Sequence, residues 1–198
     1  MAALFAAPRV AALTGPEPQA AVDATGLEAH RSSTYYRTRR ESRQKCWRSW
    51  PKLTVVCETH SHLWAGALVT RGPDNDSPQF PEVVRQAARH LKFTRLLADG
   101  AYAAEHHHRL CREELGIAQT IIPINLRGRG APRDGYRLQM HQAFPKDLYG
   151  QRWQVESAFS RNKRLLGSAL RARSVQAQAD ECLIRVLTHN LMILRLSQ

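Results

Sequence analysis

Acidic residues are scarce in this chain of 198 residues: 17 Asp and Glu stand against 29 Lys and Arg, a net charge of +12 with histidine neutral. A balance so far to the basic side points to a polyanionic partner. Cysteine is scarce as well. Cys46, Cys57, Cys111 and Cys182 form no C-x-x-C pair, which argues against a disulfide framework and a thiolate zinc site, and leaves reduced thiols in a cytoplasmic protein as the expectation. Long apolar runs are missing. The best stretch, Cys182 to Leu196, is shorter than the roughly 20 residues of a bilayer crossing and is broken by Arg185, His189, Asn190 and Arg195. The opening MAALFAAPRV has no basic start and is cut by Pro8 and Arg9, so it does not read as a secretory signal.

What is present is the balance of a globular domain, 43% hydrophobic and 23% charged. The positive charge is clustered. Arg31 to Lys52 holds eight basic residues and one acid, Glu41; a second cluster runs from Arg127 to Lys146; a third, Arg161 to Arg173, has no acid at all. Tyr35, Tyr36, Trp47, Trp50, Tyr136 and Trp153 lie in or beside these clusters, a combination that favours nucleic acid over a membrane or an acidic protein.

Residues 1 to 18 are rich in Ala and Pro and are expected to be an unstructured or truncated leader, with the folded domain spanning 19 to 198. Strands are expected at Ala20 to Ala24, Leu53 to Glu58 and Leu63 to Thr70, and the basic segment Thr34 to Arg40 is compatible with another. The loop Gly72 to Pro78 precedes PEVVRQAARHL, where Val83, Val84, Ala87, Ala88 and Leu91 form one helical stripe. A strand at Arg95 to Ala98 follows, then a helix of about a dozen residues ending at Gly116, whose lack of a side chain suits a C-terminal cap. Ala118 to Ile124 reads as strand, Asn125 to Lys146 as a mobile basic loop, and Leu148 to Leu166 and Val175 to Leu196 as long helices. This order describes an α/β domain with a mixed sheet flanked by helices.

The candidate chemistry lies in YGQRWQVESAFSRNK. Tyr149, Arg152, Glu156 and Lys163 have the spacing Y-x2-R-x3-E-x6-K, which on an ideal helix puts all four within an arc of about 60°. Val155, Ala158, Phe159 and Leu166 occupy the adjoining arc, so the polar column borders the buried face. On helix geometry alone an Arg152–Glu156 ion pair on a solvated surface is the better account. Asp99 follows an apolar strand and Asp23 comes late in the first one, although either carboxylate could simply cap a turn. Two strand aspartates and a helical glutamate are nevertheless the donors that hard divalent cations take without His or Cys.

The set Asp23, Asp99 and Tyr149-Arg152-Glu156-Lys163, followed by RLLGSALRAR, resembles the DDE transposases of bacterial insertion sequences, in the subgroup with the Y-x2-R-x3-E-x6-K signature. The resemblance extends from about Val22 to Leu196. It implies a ribonuclease-H-like fold and metal-dependent cleavage and strand transfer on double-stranded DNA, at transposon ends and target. Asp23, Asp99 and Glu156 would hold two Mg²⁺ ions, or Mn²⁺ in their place, about 3.5–4 Å apart. Tyr149, Arg152 and Lys163 would grip phosphates near the scissile bond. A homodimer on DNA, associated with the bacterial nucleoid, is also implied. Full-length relatives carry an N-terminal region that binds the element's ends, and the chain is expected to lack it.

Two other readings compete: a non-catalytic DNA-binding remnant, and a ribonuclease-H-like nuclease with no evident use for the Tyr-Arg-Glu-Lys column. His106, His107 and His108 are successive on a helix and point about 100° apart, so they make a poor shared metal site. His60 and His62 lack a third ligand and read as surface residues, while Trp47, Trp50 and Trp64 read as packing residues.

Overall fold

The computed structural model describes residues 5, 8–29, 50–126 and 130–196. The expected first strand is β1 (Gln19–Gly26), and it lies at the centre of a five-stranded sheet. Ala20, Ala21 and Val22 are wholly buried, so β1 is covered on both faces, as an inner strand of an α/β sheet must be. Its neighbours are β3 (Trp50–Glu58) and β5 (Arg95–Ala98), with β4 (Trp64–Gly72) and β6 (Gln119–Ile121) at the edges. β3 runs antiparallel to β1 and β4, whereas β1, β5 and β6 are mutually parallel. In sequence order the five strands lie 3-2-1-4-5 with the second reversed, which is the ribonuclease-H-like arrangement.

Helices cover both faces. α2 (Phe80–His90) buries Phe80, Val83, Val84 and Ala87 against Ala20, Val22, Leu96 and Ala98. It lies close to β4 because residue 66 is glycine; a Cβ there would stand 2.5 Å from the Val83 carbonyl oxygen. On the other face, α6 (Trp153–Leu166) and α7 (Val175–Leu196) pack Val155, Ala158, Phe159, Cys182 and Val186 on Ala21, Val55 and Leu97. Strand side chains alternate between faces. Odd-numbered residues of β1 therefore face α6, and that set includes Asp23 and Thr25. A short parallel ribbon, β2 (Glu28–Ala29) with β7 (Ala169–Leu170), joins the chain just after β1 to the chain just after α6.

Several sequence expectations are corrected. The expected leader contains α1 (Pro8–Thr14), whose Val10 packs with Leu63 and Ile193. A helix of seven residues is too short to be stable alone, and contacts from distant parts of the chain are invisible in local periodicity. The helix expected to end at Gly116 is shorter and mixed, with α3 (Glu105–Arg109) continuing as a π turn at Leu110–Glu114; Gly116 does take the left-handed conformation, φ 70°.

The expected mobile loop over Asn125 to Lys146 contains α4 (Gly135–Gln142). The Glu105 carboxylate accepts from the Tyr136 and Arg137 amides, 3.0 Å each, and so caps α4 from 31 residues away. Only Met140 of α4 is buried, which is why it shows no apolar stripe. The expected helix from Leu148 is also broken: α5 (Lys146–Tyr149) and a 3₁₀ turn at Gly150–Arg152 precede α6. The possible strand Thr34 to Arg40, with Tyr35 and Tyr36, lies outside the described residues. Among the described residues no helix is long and apolar enough to cross a membrane.

Candidate active site

The sheet register places Asp23 and Asp99 side by side. Val22 pairs with Ala98 across the parallel β1·β5 ladder, so the next residue of each chain lies at the same level. Both continue the alternation that sends Ala21 and Leu97 towards α6. Each carboxylate has one oxygen tied to backbone: Asp23 Oδ1 accepts from the Ala24 amide at 2.9 Å, and Asp99 Oδ1 from the Ala101 amide at 2.7 Å, which caps the 3₁₀ turn Gly100–Tyr102. Burial pushes the Asp23 carboxyl above its ordinary value. The charges of Asp99 and Glu156 push in the same direction, and the Ala24 amide and Arg152 oppose them.

Across from this pair stands α6. Glu156 is in its first turn, and Arg152 closes the 3₁₀ turn before it. The Arg152 guanidinium bridges the two sides of the cleft: Nη1 lies 3.4 Å from Asp23 Oδ2, and Nη2 donates to Glu156 Oε1. The solvated-surface account has the Arg152–Glu156 pair alone; the structure adds the strand aspartate to it. Tyr149 lies close by, and burial raises its hydroxyl's pKa, so it remains a neutral donor. Lys163, two turns beyond Glu156, donates through Nζ to Thr25 Oγ1 at 2.7 Å. Asp23, Thr25, Glu156, Ser160, Lys163 and Arg164 help to line an open cleft of about 480 Å³.

Thr25 is the residue that sequence reasoning missed. Its signal was available, since two residues on from Asp23 in a strand is the same face. What could not be read was that Lys163, 138 residues away, ends at its hydroxyl.

The donors at this cleft are carboxylate oxygens, which suit Mg²⁺ or Mn²⁺ chemically. The guanidinium already provides positive charge between Asp23 and Glu156, a stand-in for the cation that such a cluster calls for. Among the described residues no three His, Cys, Asp or Glu side chains are assembled as a metal site. A cation bound by Asp23 and Glu156 together therefore needs Arg152 to move aside.

The remaining candidates are structural. His107 is buried, with Nδ1 2.9 Å from the Tyr102 carbonyl oxygen and its ring stacked on Phe80; His108 is buried with Nδ1 2.6 Å from Thr120 Oγ1. His60 and His62 lie in the turn after β3 rather than on a strand, and His62 Nε2 is 2.7 Å from Gln154 Oε1. Trp64 is buried against Phe159 and His189, and Trp50 lies across Gly26 and Gly72; Trp47 is outside the described residues.

A ribonuclease-H-like sheet whose central strands carry Asp23 and lead into Asp99, opposite the helix that carries Glu156 and Lys163, is the frame of this cleft. The family model described as "Transposase DDE domain" matches residues 14–191, and the chain belongs to that family. Among solved structures, the catalytic core domain of BIV integrase is similar at 15% identity, with 86% of this chain and 81% of that one covered and a TM-score of 0.42.

Proposed function

We propose that this chain catalyses divalent-metal-dependent cleavage of double-stranded DNA and strand transfer in the transposition of an insertion sequence. The observation that supports this reading is a cleft lined by Asp23, Glu156 and Lys163, with Asp99 directly after the strand that pairs with β1 and Arg152 between Asp23 and Glu156. Asp23, Asp99 and Glu156 would hold the cations, Mg²⁺ or Mn²⁺. Two such ions, when bound, supply an activated attacking oxygen and charge stabilisation at the leaving one. Lys163 presents a point charge held by Thr25, Arg152 a planar fork, and Tyr149 a neutral hydroxyl; all three can take phosphate oxygens and orient the scissile bond.

The partners are transposon ends and target DNA, met at the bacterial nucleoid, and the acting species is a homodimer. The exposed face of α7 supports the dimer. Leu183, Ile184, Leu187 and Leu191 are exposed in one stripe, with Asp180 and Arg195 exposed near its two ends. A two-fold antiparallel pairing through a second copy puts Ile184 opposite Leu191, and Asp180 opposite Arg195 at both ends.

Nicking of supercoiled plasmid in Mg²⁺ tests the catalytic reading. Asp99→Asn should reduce nicking to the level of a protein-free control; undiminished nicking by that variant, or none by the unaltered chain, overturns it.

A further inference from the structure

Arg152 holds one oxygen of each of the two carboxylates between which a cation would sit. One oxygen of Asp23 is committed to the Ala24 amide, so Oδ2 is the oxygen left for the cleft, and it faces Arg152 Nη1 at 3.4 Å. Glu156 Oε1 takes Nη2 of the same guanidinium. The Asp23 and Arg152 side chains are each only 21% exposed, so water screens this contact weakly. A guanidinium and a divalent cation cannot both occupy the gap.

We propose that Arg152 makes metal loading conditional on DNA. Without DNA the guanidinium bridges Asp23 and Glu156 and keeps the cation out. A phosphate entering beside the cleft offers the fork an equivalent bidentate partner, and the side chain turns to it, freeing both carboxylates. Binding free energies are reciprocal, so metal must then tighten DNA binding by the same factor by which DNA tightens metal binding. The inference rests on the metal-holding role given above to Asp23, Asp99 and Glu156 and extends it: one arginine performs both phosphate contact and metal exclusion.

Mn²⁺ binding to the full chain, followed by calorimetry and by the loss of the free-ion paramagnetic resonance signal, tests it with and without a short DNA duplex. The unaltered protein should bind Mn²⁺ about tenfold more tightly with DNA than without, an ordinary size for coupling between sites. Arg152→Gln should bind Mn²⁺ without DNA as tightly as the unaltered protein does with it, and DNA should change its affinity little. Arg152→Lys keeps the charge but loses the fork, and should follow the Gln variant; Lys behaving as Arg overturns the role of the fork. Equal or weaker Mn²⁺ binding by Arg152→Gln in the absence of DNA overturns the inference while leaving the metal site intact, provided Asp23→Asn abolishes binding. Absence of Mn²⁺ binding in every variant, with DNA present, overturns both readings.

Discussion

His108 and His189 show how single buried groups tie this fold to pH. His189 stacks on Trp64 with ring centres 4.1 Å apart, and its Nε2 faces the His62 carbonyl oxygen at 2.9 Å, so that nitrogen carries the proton of a neutral ring. Burial pushes both His108 and His189 down from 6.5 to about 4. A depressed value means that the unfolded chain takes up protons before the folded one does. Stability is therefore whole above pH 6.5 and is lost as pH falls from 6.5 towards 4. At most, each histidine accounts for roughly 3 kcal/mol of that loss. Urea unfolding measured across this window should show the decline, and His108→Gln should make it shallower. The triple-histidine run was legible as a poor metal site because helical neighbours diverge, but its packing role was not, since Thr120 and Phe80 come from other elements.

Elements were legible where their own periodicity defined them. β5 and α7 run over the residues expected, Arg95–Ala98 and Val175–Leu196, because apolar runs and stripes mark them from within. α1 and α4 were illegible because each is stabilised from outside, by Leu63 and Ile193 in one case and by the Glu105 carboxylate in the other. The break before α6 was also hidden: a 3₁₀ turn advances 120° per residue instead of 100°, too small a difference over three residues to disturb the Tyr-Arg-Glu pattern. α2 on β4 is the tightest contact between a helix and the sheet that glycine permits here. Gly66→Ala would press a methyl on the Val83 carbonyl, with Ala87 Cβ only 3.1 Å away. Equilibrium urea denaturation should register a loss of about 1–3 kcal/mol, with the midpoint lowered and the slope unchanged.

At the scale of the molecule, the described basic residues of the cleft and the exposed aliphatic stripe lie on different helices. Lys163 and Arg164 line the acidic cleft, while the exposed aliphatic stripe runs along α7. The pairing through that stripe predicts that Leu187→Asp shifts the protein from dimer to monomer in sedimentation equilibrium and removes the concentration dependence of its melting temperature, since Leu187 is exposed in the single chain. The β1-to-α6 geometry was only half visible in the sequence. Alternation gave the face of Asp23 and helix spacing gave the column of Glu156, but neither says how far apart the two stand. That separation is set by the packing of Val155, Ala158 and Phe159 on Ala21, Val55 and Leu97, and the ribbon of β2 and β7 ties the two elements together beyond it. β2 starts two residues beyond β1, and β7 starts three beyond α6, so the ribbon is a clasp that closes the strand and the helix into a loop of fixed circumference. Fraying of β4 or β6 at the sheet margins leaves that circumference alone, whereas opening the clasp removes the strand pairing that links the two carboxylate-bearing elements and leaves their spacing to side-chain packing.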